Sequence, residues 1–510
     1  MLYALFFALL LAWGIGTPLQ QSPDEWAHLY RAAGIYNGQV LISAPGPMDP
    51  VRGDPIRVPA WLQADRQAAR CFLFRAVAPV SCGHPKSASD ALVRTSTPAA
   101  RYPPFYYAVV GWPLLLGHGN AVLYLMRIVA AALSAAFLAW GMLSLLRLGA
   151  GLAATGMVVA VTPMVAWLST MINPNGMEIA AALSLWPSLI LWCTTNEARL
   201  RRAGAIGAAT AATVMVLSRS VSIIWVCVAV ASVLPLVRLS WIRDQFKSRL
   251  LLKAPALVVL AGIVTLVWSG LSRQTQLGPL KLPGFEVRHD SLPHNVRLAY
   301  RYLVPWWRQS VGDFGWLDTP ISFRLLHVYE LAWVVLLLAA ALAAVRRTGR
   351  FRALFSAGIA AALTVALTLI LAASVANELR VGFWQGRYSV PMGVGVPLLL
   401  GYAAGRTSDR RVRWWAAGFS LLAGMIVSIV AVRSFLLFFH RNSVGIKHPW
   451  SLTGGWQPPG GIILWLAVLC LAMSGLALVA ATAAAGPTAT DSPDGSGANG
   501  SQAIPVALPT

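Results

Sequence analysis

The chain has 510 residues, of which 57% are hydrophobic and 11% charged, and its net charge is +22. Soluble domains carry about 25% charged residues, and a soluble globule of this size lacks the interior volume for so much apolar surface, so a soluble enzyme is excluded. Nucleic acid is not the partner either, because the positive charge lies in short loops between apolar runs and no compact basic domain exists.

Residues 1–16, MLYALFFALLLAWGIG, are apolar. They lack a charged leader and a clear small-residue cleavage site, so they read as a retained first span rather than a signal peptide. Residues 17–120 form a long polar stretch rich in Pro and Arg. Its last segment, RYPPFYYAVVGWPLLL (101–116), keeps only ~13 residues after its prolines, too few for a comfortable span. It is expected to lie as a helix in the membrane interface, where Tyr and Trp are favoured. Apolar runs long enough to span then recur at 121–146, 150–171, 177–194, 203–217, 220–237, 254–270, 326–345, 353–375, 388–404, 415–434 and 461–482. With the first, they give about 12 spans. The runs are continuous rather than alternating, so the fold class is an all-α, polytopic transmembrane helix bundle and not a barrel. The bundle occupies residues 1–482, with large loops at 17–120 and 271–325. The Gly/Ser/Pro/Ala-rich stretch 483–510 is expected to be a disordered cytoplasmic tail.

Four basic clusters set the orientation. They are Arg199/Arg201/Arg202, Arg238/Arg243/Lys247/Arg249/Lys253, Arg346/Arg347/Arg350/Arg352 and Arg406/Arg410/Arg411/Arg413. With that span count all four fall on one side, the cytoplasm. The loops 17–120, 271–325, 376–388 and 435–460 then lie outside. The 271–325 loop is itself basic, with Arg273, Lys281, Arg288, Arg297, Arg301, Arg308 and Arg324, as suits an anion site.

Of five cysteines, Cys193, Cys227 and Cys470 fall in apolar spans, whereas Cys71 and Cys82 share the first outer loop. In an oxidising compartment those two can close a short loop, the alternative being two free thiols. The eight histidines stand singly, and neither a nucleotide fingerprint nor a Cys/His metal spacing occurs.

Chemistry concentrates in three segments. In SPDEWAHLYRA (22–32), Asp24 and Glu25 are adjacent carboxylates, with His28 and Arg31 at helical spacing behind them. Helix capping by Ser22 or Asp24 is the competing explanation. In FWQGRYSVP (383–391), Arg387 is suited to bidentate phosphate contact, or is an interfacial anchor beside Trp384 and Tyr388. In INPNGMEIA (172–180), turn formers lead to Glu178, which either enters a span as a functional group or sits at the water boundary. Arg219, between two spans, is either a second phosphate contact or a snorkelling side chain.

A carboxylate pair after the first span, a long loop ending in YPPFYY and many further spans resemble the C-type (GT-C fold) glycosyltransferases. More narrowly, PDEWAHLYRA, YPPFYY, NPNGMEI, FGWLD and QGRYSVP look, in that order, like a bacterial membrane family of unknown function grouped with that superfamily. The resemblance implies a transferase at the outer face of the inner membrane. Its donor would be a polyprenyl-phosphate-linked sugar and its acceptor a cell-envelope glycan or lipid. It implies Asp24 as catalytic base, with Glu25 in reserve. It implies donor-phosphate contacts among His28, Arg31, Arg219, Gln385, Arg387 and Tyr388. Further candidates are Tyr102, Asn173, Asn175, Glu178, Trp316 and Asp318. No cofactor is assigned, and a divalent cation is compatible with the reading. One base without a second acid fits inversion by single displacement, with Asp24 and Arg387 lining one cavity about a sugar's width apart. The rivals are a lipid-linked glycan flippase, for which no internal repeat is found, and a non-catalytic scaffold.

Overall fold

The computed structural model describes residues 1–42, 44, 46–84, 89–237, 241, 249–274, 276, 278, 290–346, 348–405 and 409–486. Lys281, Arg288, His289, Arg238, Arg243, Lys247, Arg347, Arg406 and the tail from 487 lie outside the described residues.

Helix α1 (Leu2–Ile15) leads into α2 (Glu25–Tyr36), β1 (Asp54–Pro59), α3 (Ala60–Ala69), β2 (Leu92–Thr97) and α4 (Phe105–Val110). The bundle continues through α5 (Asn120–Arg147), α6 (Ala153–Ala160), α7 (Pro163–Leu168), α8 (Pro174–Thr194), α9 (Ala198–Ser218), α10 (Ser222–Val233) and α11 (Arg249–Leu271). After α12 (Leu292–Tyr300) and α13 (Leu303–Gly312), a small antiparallel pair, β3 (Asp313–Phe314) and β4 (Thr319–Pro320), precedes α14 (Phe323–Arg346) and α15 (Thr348–Ser374). Short helical turns over 376–393 lead to α16 (Gly395–Ala404), α17 (Arg410–Ser443) and α18 (Ile462–Ala485).

Among the described residues, eight helices are long and apolar enough to cross a membrane: Asn120–Arg147, Pro174–Thr194, Ala198–Ser218, Lys253–Leu271, Phe323–Val345, Arg350–Ser374, Arg410–Ser443 and Ile462–Ala485. Three shorter apolar helices, Leu2–Ile15, Ser222–Leu236 and Val390–Ala404, accompany them. The chain is a multi-pass membrane protein. The expected span at 150–171 is corrected. It is two short helices, α6 and α7, broken at Val161–Thr162, where the Thr162 hydroxyl accepts from Val165 N and Pro163 opens the next helix. Eight residues of helix reach about 12 Å, well short of a bilayer core of about 30 Å. This apolar run is buried in protein rather than lipid, a distinction that hydropathy cannot make.

Helix α8 is central. Residues 174–191 are buried throughout, between α5 and α9. Gly176 permits this packing, because a Cβ there would stand 1.9 Å from the Leu168 carbonyl oxygen. By contrast α11 presents Val259, Leu260, Ile263, Val264 and Leu266 outward, as a lipid-facing helix should. Helix α17 has 34 residues, about 50 Å of helix, and outruns a bilayer core. Its last turn carries the buried Arg441 into the polar end of the molecule.

At that end, β1 and β2 pair antiparallel from Asp54↔Thr97 to Pro59↔Leu92, backing α2. Cys71 and Cys82 form a disulfide, with Cα atoms 6.1 Å apart. Residues 101–116 contain only the six-residue α4 and a 3-10 turn over Trp112–Leu116, neither long enough to cross a bilayer.

Candidate active site

The segment after α1 is shaped by two residues in left-handed backbone, Gln20 (φ 68°) and Asp24 (φ 63°), a conformation that Asp tolerates better than most residues. It turns the Asp24 side chain away from its own helix. Asp24 occupies the N-cap position of α2 but makes no side-chain cap bond, and the Ser22 hydroxyl has no partner among the described residues. Capping therefore does not explain these residues. Instead Arg387 Nη2 donates to Asp24 Oδ2 at 2.5 Å, joining positions 363 apart in the chain. The Asp24 side chain is 42% exposed and that of Arg387 4%.

That contact corrects the expected sugar-width gap, since the two side chains touch. The contact uses one guanidinium nitrogen. Nη2 also donates to the Tyr388 hydroxyl at 3.3 Å, while Nε and Nη1 are buried with no partner among the described residues. The carbonyl oxygen of the Gln385 side chain is likewise buried and unpartnered. Gln385 and Arg387 line a small cavity with Pro23, Gln309 and Asp313. Burial pushes the Asp313 carboxyl up to about 7.

A second pair lies alongside. Arg219 Nη1 donates to Glu178 Oε2 at 2.6 Å, and Glu178 also accepts from Asn175 Nδ2 and the Ser222 hydroxyl. Glu178 is fully buried rather than at a water boundary. Arg219 stands 5.4 Å from the Tyr388 ring. The Asn173 side chain caps α8 through Asn175 N and donates from Nδ2 to the Pro23 carbonyl, fastening this element to the residue before Asp24. Between the pairs lies His28, whose Nδ1 is 2.8 Å from the Tyr107 hydroxyl and whose ring meets Tyr102 edge-on. Burial lowers His28 to about 3, the Asp24 carboxylate opposing and Arg387 and Arg219 reinforcing the shift. Asp24, His28, Tyr102, Arg219, Arg387 and Tyr388 therefore converge.

Other candidates fall elsewhere. Arg31 gives Nη1 to the Gln39 carbonyl, Nη2 to those of Val40 and Tyr102, and Nε also to Tyr102, and it is fully buried. It braces the backbone and offers nothing to a phosphate. Glu25 is 1% exposed and bound on both oxygens by Arg127, so its expected reserve role as a base is corrected to that of a structural ion pair. Trp316 donates Nε1 to the Gln20 carbonyl, and Asp318 pairs with Arg441 at 2.6 Å. Both brace the 17–24 segment and the disulfide loop. Arg127, Arg441 and the Arg101–Asp54 pair were not singled out from sequence. An arginine inside the apolar run 121–146 was the signal available for Arg127. Among the described residues no group of three metal-ligating side chains occurs.

Fold and site together define a multi-pass, mostly helical membrane protein with a carboxylate–arginine cluster at one end of the bundle. The chain belongs to the predicted membrane protein family DUF2142, whose profile matches residues 6–396. No curated protein matches it. Among solved structures it is similar to ArnT from Cupriavidus metallidurans bound to undecaprenyl phosphate, at 16% identity over 94% of this chain and 77% of that one, with a TM-score of 0.41. The apo state of the same protein gives 15% identity over 94% and 76%, also at 0.41. A likeness this loose fixes neither a common backbone nor an activity.

Proposed function

We propose that the protein is a membrane glycosyltransferase that moves a sugar from a polyprenyl-phosphate donor to a cell-envelope acceptor at the extracytoplasmic face. The observation that carries the reading is the meeting of a half-exposed carboxylate, Asp24, with a buried arginine, Arg387, that retains unpartnered N–H groups. A leaving lipid phosphate is already anionic and needs cations rather than an acid. Arg387 can take that phosphate in a fork when Nη2 joins Nε or Nη1, which have no partner among the described residues. In exchanging its one bond to Asp24 for the phosphate, it frees the carboxylate to act as base. Asp24 then accepts the proton of the acceptor hydroxyl. The hydroxyl oxygen bonds to the anomeric carbon, the bond from that carbon to the phosphate oxygen breaks, and polyprenyl phosphate departs with inversion. Arg219 is held by Glu178 and adds field rather than a direct contact.

Turnover of a defined polyprenyl-phosphate sugar in reconstituted protein tests this. Asp24→Asn keeps the shape but removes the proton acceptor, and the rate should drop by roughly 10²–10⁴-fold. Arg387→Ala should weaken donor binding as well as rate, since the phosphate is charged in ground and transition states alike. The direct Asp24–Arg387 contact favours one second reading, a non-catalytic scaffold in which the pair is structural. Full activity of Asp24→Asn would select against catalysis by this carboxylate.

A further inference from the structure

Near Asp24, whose charge acts on Arg66, four side chains from four different segments come together. Trp26 is on α2, Arg66 on α3, Phe74 inside the disulfide-closed loop, and Trp316 on the β3–β4 hairpin. The Arg66 guanidinium lies 4.6 Å over the Trp26 ring and 5.7 Å from that of Trp316. Phe74 meets Trp316 at 4.9 Å between centroids, tilted by 57°.

Phe74 is the unusual member. Its neighbours Phe72 and Leu73 are 3% and 6% exposed, yet Phe74 is 67% exposed and has a φ of 57°. A bulky residue in left-handed backbone is uncommon and persists only where the surroundings over-determine it. Here the disulfide closes the segment, and Arg441 grips the Phe72 and Ala78 carbonyls. The loop is thus held so that one aromatic ring stands out against a second. That second ring, Trp316, is itself fixed by its bond to the Gln20 carbonyl at 3.1 Å. Arg66 Nη1 is buried with no partner among the described residues, and the Asp24 charge acts on this guanidinium.

We propose that Trp26, Phe74, Trp316 and Arg66 form a saccharide-binding shelf that seats the acceptor glycan beside Asp24. The word acceptor rests on the transfer reading above; saccharide binding by the shelf does not. A sugar ring has an apolar C–H face and a hydroxyl rim. Flat aromatic faces match the first, and the Arg66 guanidinium, within the field of the Asp24 carboxylate, matches the second. An acyl chain would gain nothing from the Arg66 guanidinium and the nearby Asp24 carboxylate and would desolvate them.

The test uses the full-length protein in lipid nanodiscs, titrated with short pentose and hexose oligosaccharides and read by saturation-transfer NMR. Wild type should bind at least one series. Phe74→Ala, at an exposed position that does not hold the fold, should weaken that binding about tenfold, and Phe74→Trp should restore it. Arg66→Gln should weaken it as well. The proposal is overturned if wild type binds neither series, or if Phe74→Ala binds as tightly as wild type. It is equally overturned if Phe74→Ala leaves glycan binding intact but lowers association of the polar loops with phosphatidylglycerol vesicles, which would make the ring a membrane contact. An active Asp24→Asn with glycan binding still dependent on Phe74 sinks the transfer reading and leaves the shelf standing, so the two failures are distinguishable.

Discussion

Glu25 and Arg127, 102 residues apart, are locked by two parallel hydrogen bonds, Nε to Oε1 at 2.8 Å and Nη2 to Oε2 at 2.7 Å. The remaining N–H groups of Arg127 reach the carbonyls of Gly14, Thr17 and Pro18, so one guanidinium fastens the end of α1 and the start of α2 to α5. The neighbour of Glu25, Asp24, is the half-exposed member of the adjacent pair. Two consecutive carboxylates thus have separable tasks.

Removing one partner of a buried ion pair leaves the other charge uncompensated, at a cost of ~3–5 kcal/mol. Arg127→Met or Glu25→Ala is therefore expected to lower the unfolding temperature in detergent markedly. Asp24→Asn, with a half-exposed side chain, should hold its unfolding temperature while losing turnover. If Glu25→Ala melted like wild type, the assignment of Glu25 to structure would fail.

The His28 ring gives a pH dependence of stated sign. Burial holds it at about 3 in the folded protein, whereas the unfolded chain titrates near 6.5. Between those values the unfolded state binds the proton and the folded state does not, so this contribution is complete above pH 6.5 and is lost as pH falls toward 3. Asp65 and Asp313, pushed up to about 6 and about 7 by burial, work the opposite way in that window. The difference between wild type and His28→Asn isolates the ring. Their gap in unfolding temperature should narrow steadily from pH 7 to pH 4.

The Cys71–Cys82 bond closes a short loop at the polar end. Cys71→Ala with Cys82→Ala should cost ~2–4 kcal/mol within the loop, chiefly by freeing its unfolded ensemble. Limited proteolysis should nick residues 71–82 in the variant and spare wild type, with helix content unchanged by circular dichroism. Equal protection of both proteins would count against a constraint there.

Backbone contact at the centre of the bundle predicts a contrast between two glycines. A Cβ at Gly176 would meet the Leu168 carbonyl oxygen at 1.9 Å, whereas one at Gly262 finds nothing within 4 Å. Gly176→Ala must push α8 from α7 and should destabilise by ~1–3 kcal/mol or more. Gly262→Ala, on the lipid-facing α11, should be silent in the same melt.

Much of this architecture was legible in the sequence because bilayers impose a length. Runs such as 326–345 and 461–482 could be read directly, and the prolines of RYPPFYY marked a segment with no long helix. The 150–171 run misled because apolarity does not say whether the neighbour is lipid or protein. Its break lies in one capping hydroxyl and one proline, Thr162 and Pro163. The motif segments 22–32, 172–180 and 383–391 do come together, and their residue types announced that. What sequence could not supply was pairing. Arg31 and Arg387 are the same residue type near similar aromatic neighbours, yet one is spent on carbonyls and the other holds Asp24. That difference depends on where distant backbone passes, which no local pattern encodes.

Helix α1 lies against α18 as well as α5, with Phe6, Leu9, Leu10 and Trp13 all buried. The first described helix therefore completes its wall with the last described one. At about 5–20 residues per second, roughly half a minute to a minute and a half of synthesis separates them. Throughout that interval one flank of α1 has only lipid or the insertion machinery for company, while Arg127 can already clamp its other end. One seam of the bundle is thus closed by its first and last described helices. Translation arrested before Ile462 should leave a chain that is inserted but unclosed, and a natural substrate for membrane quality control.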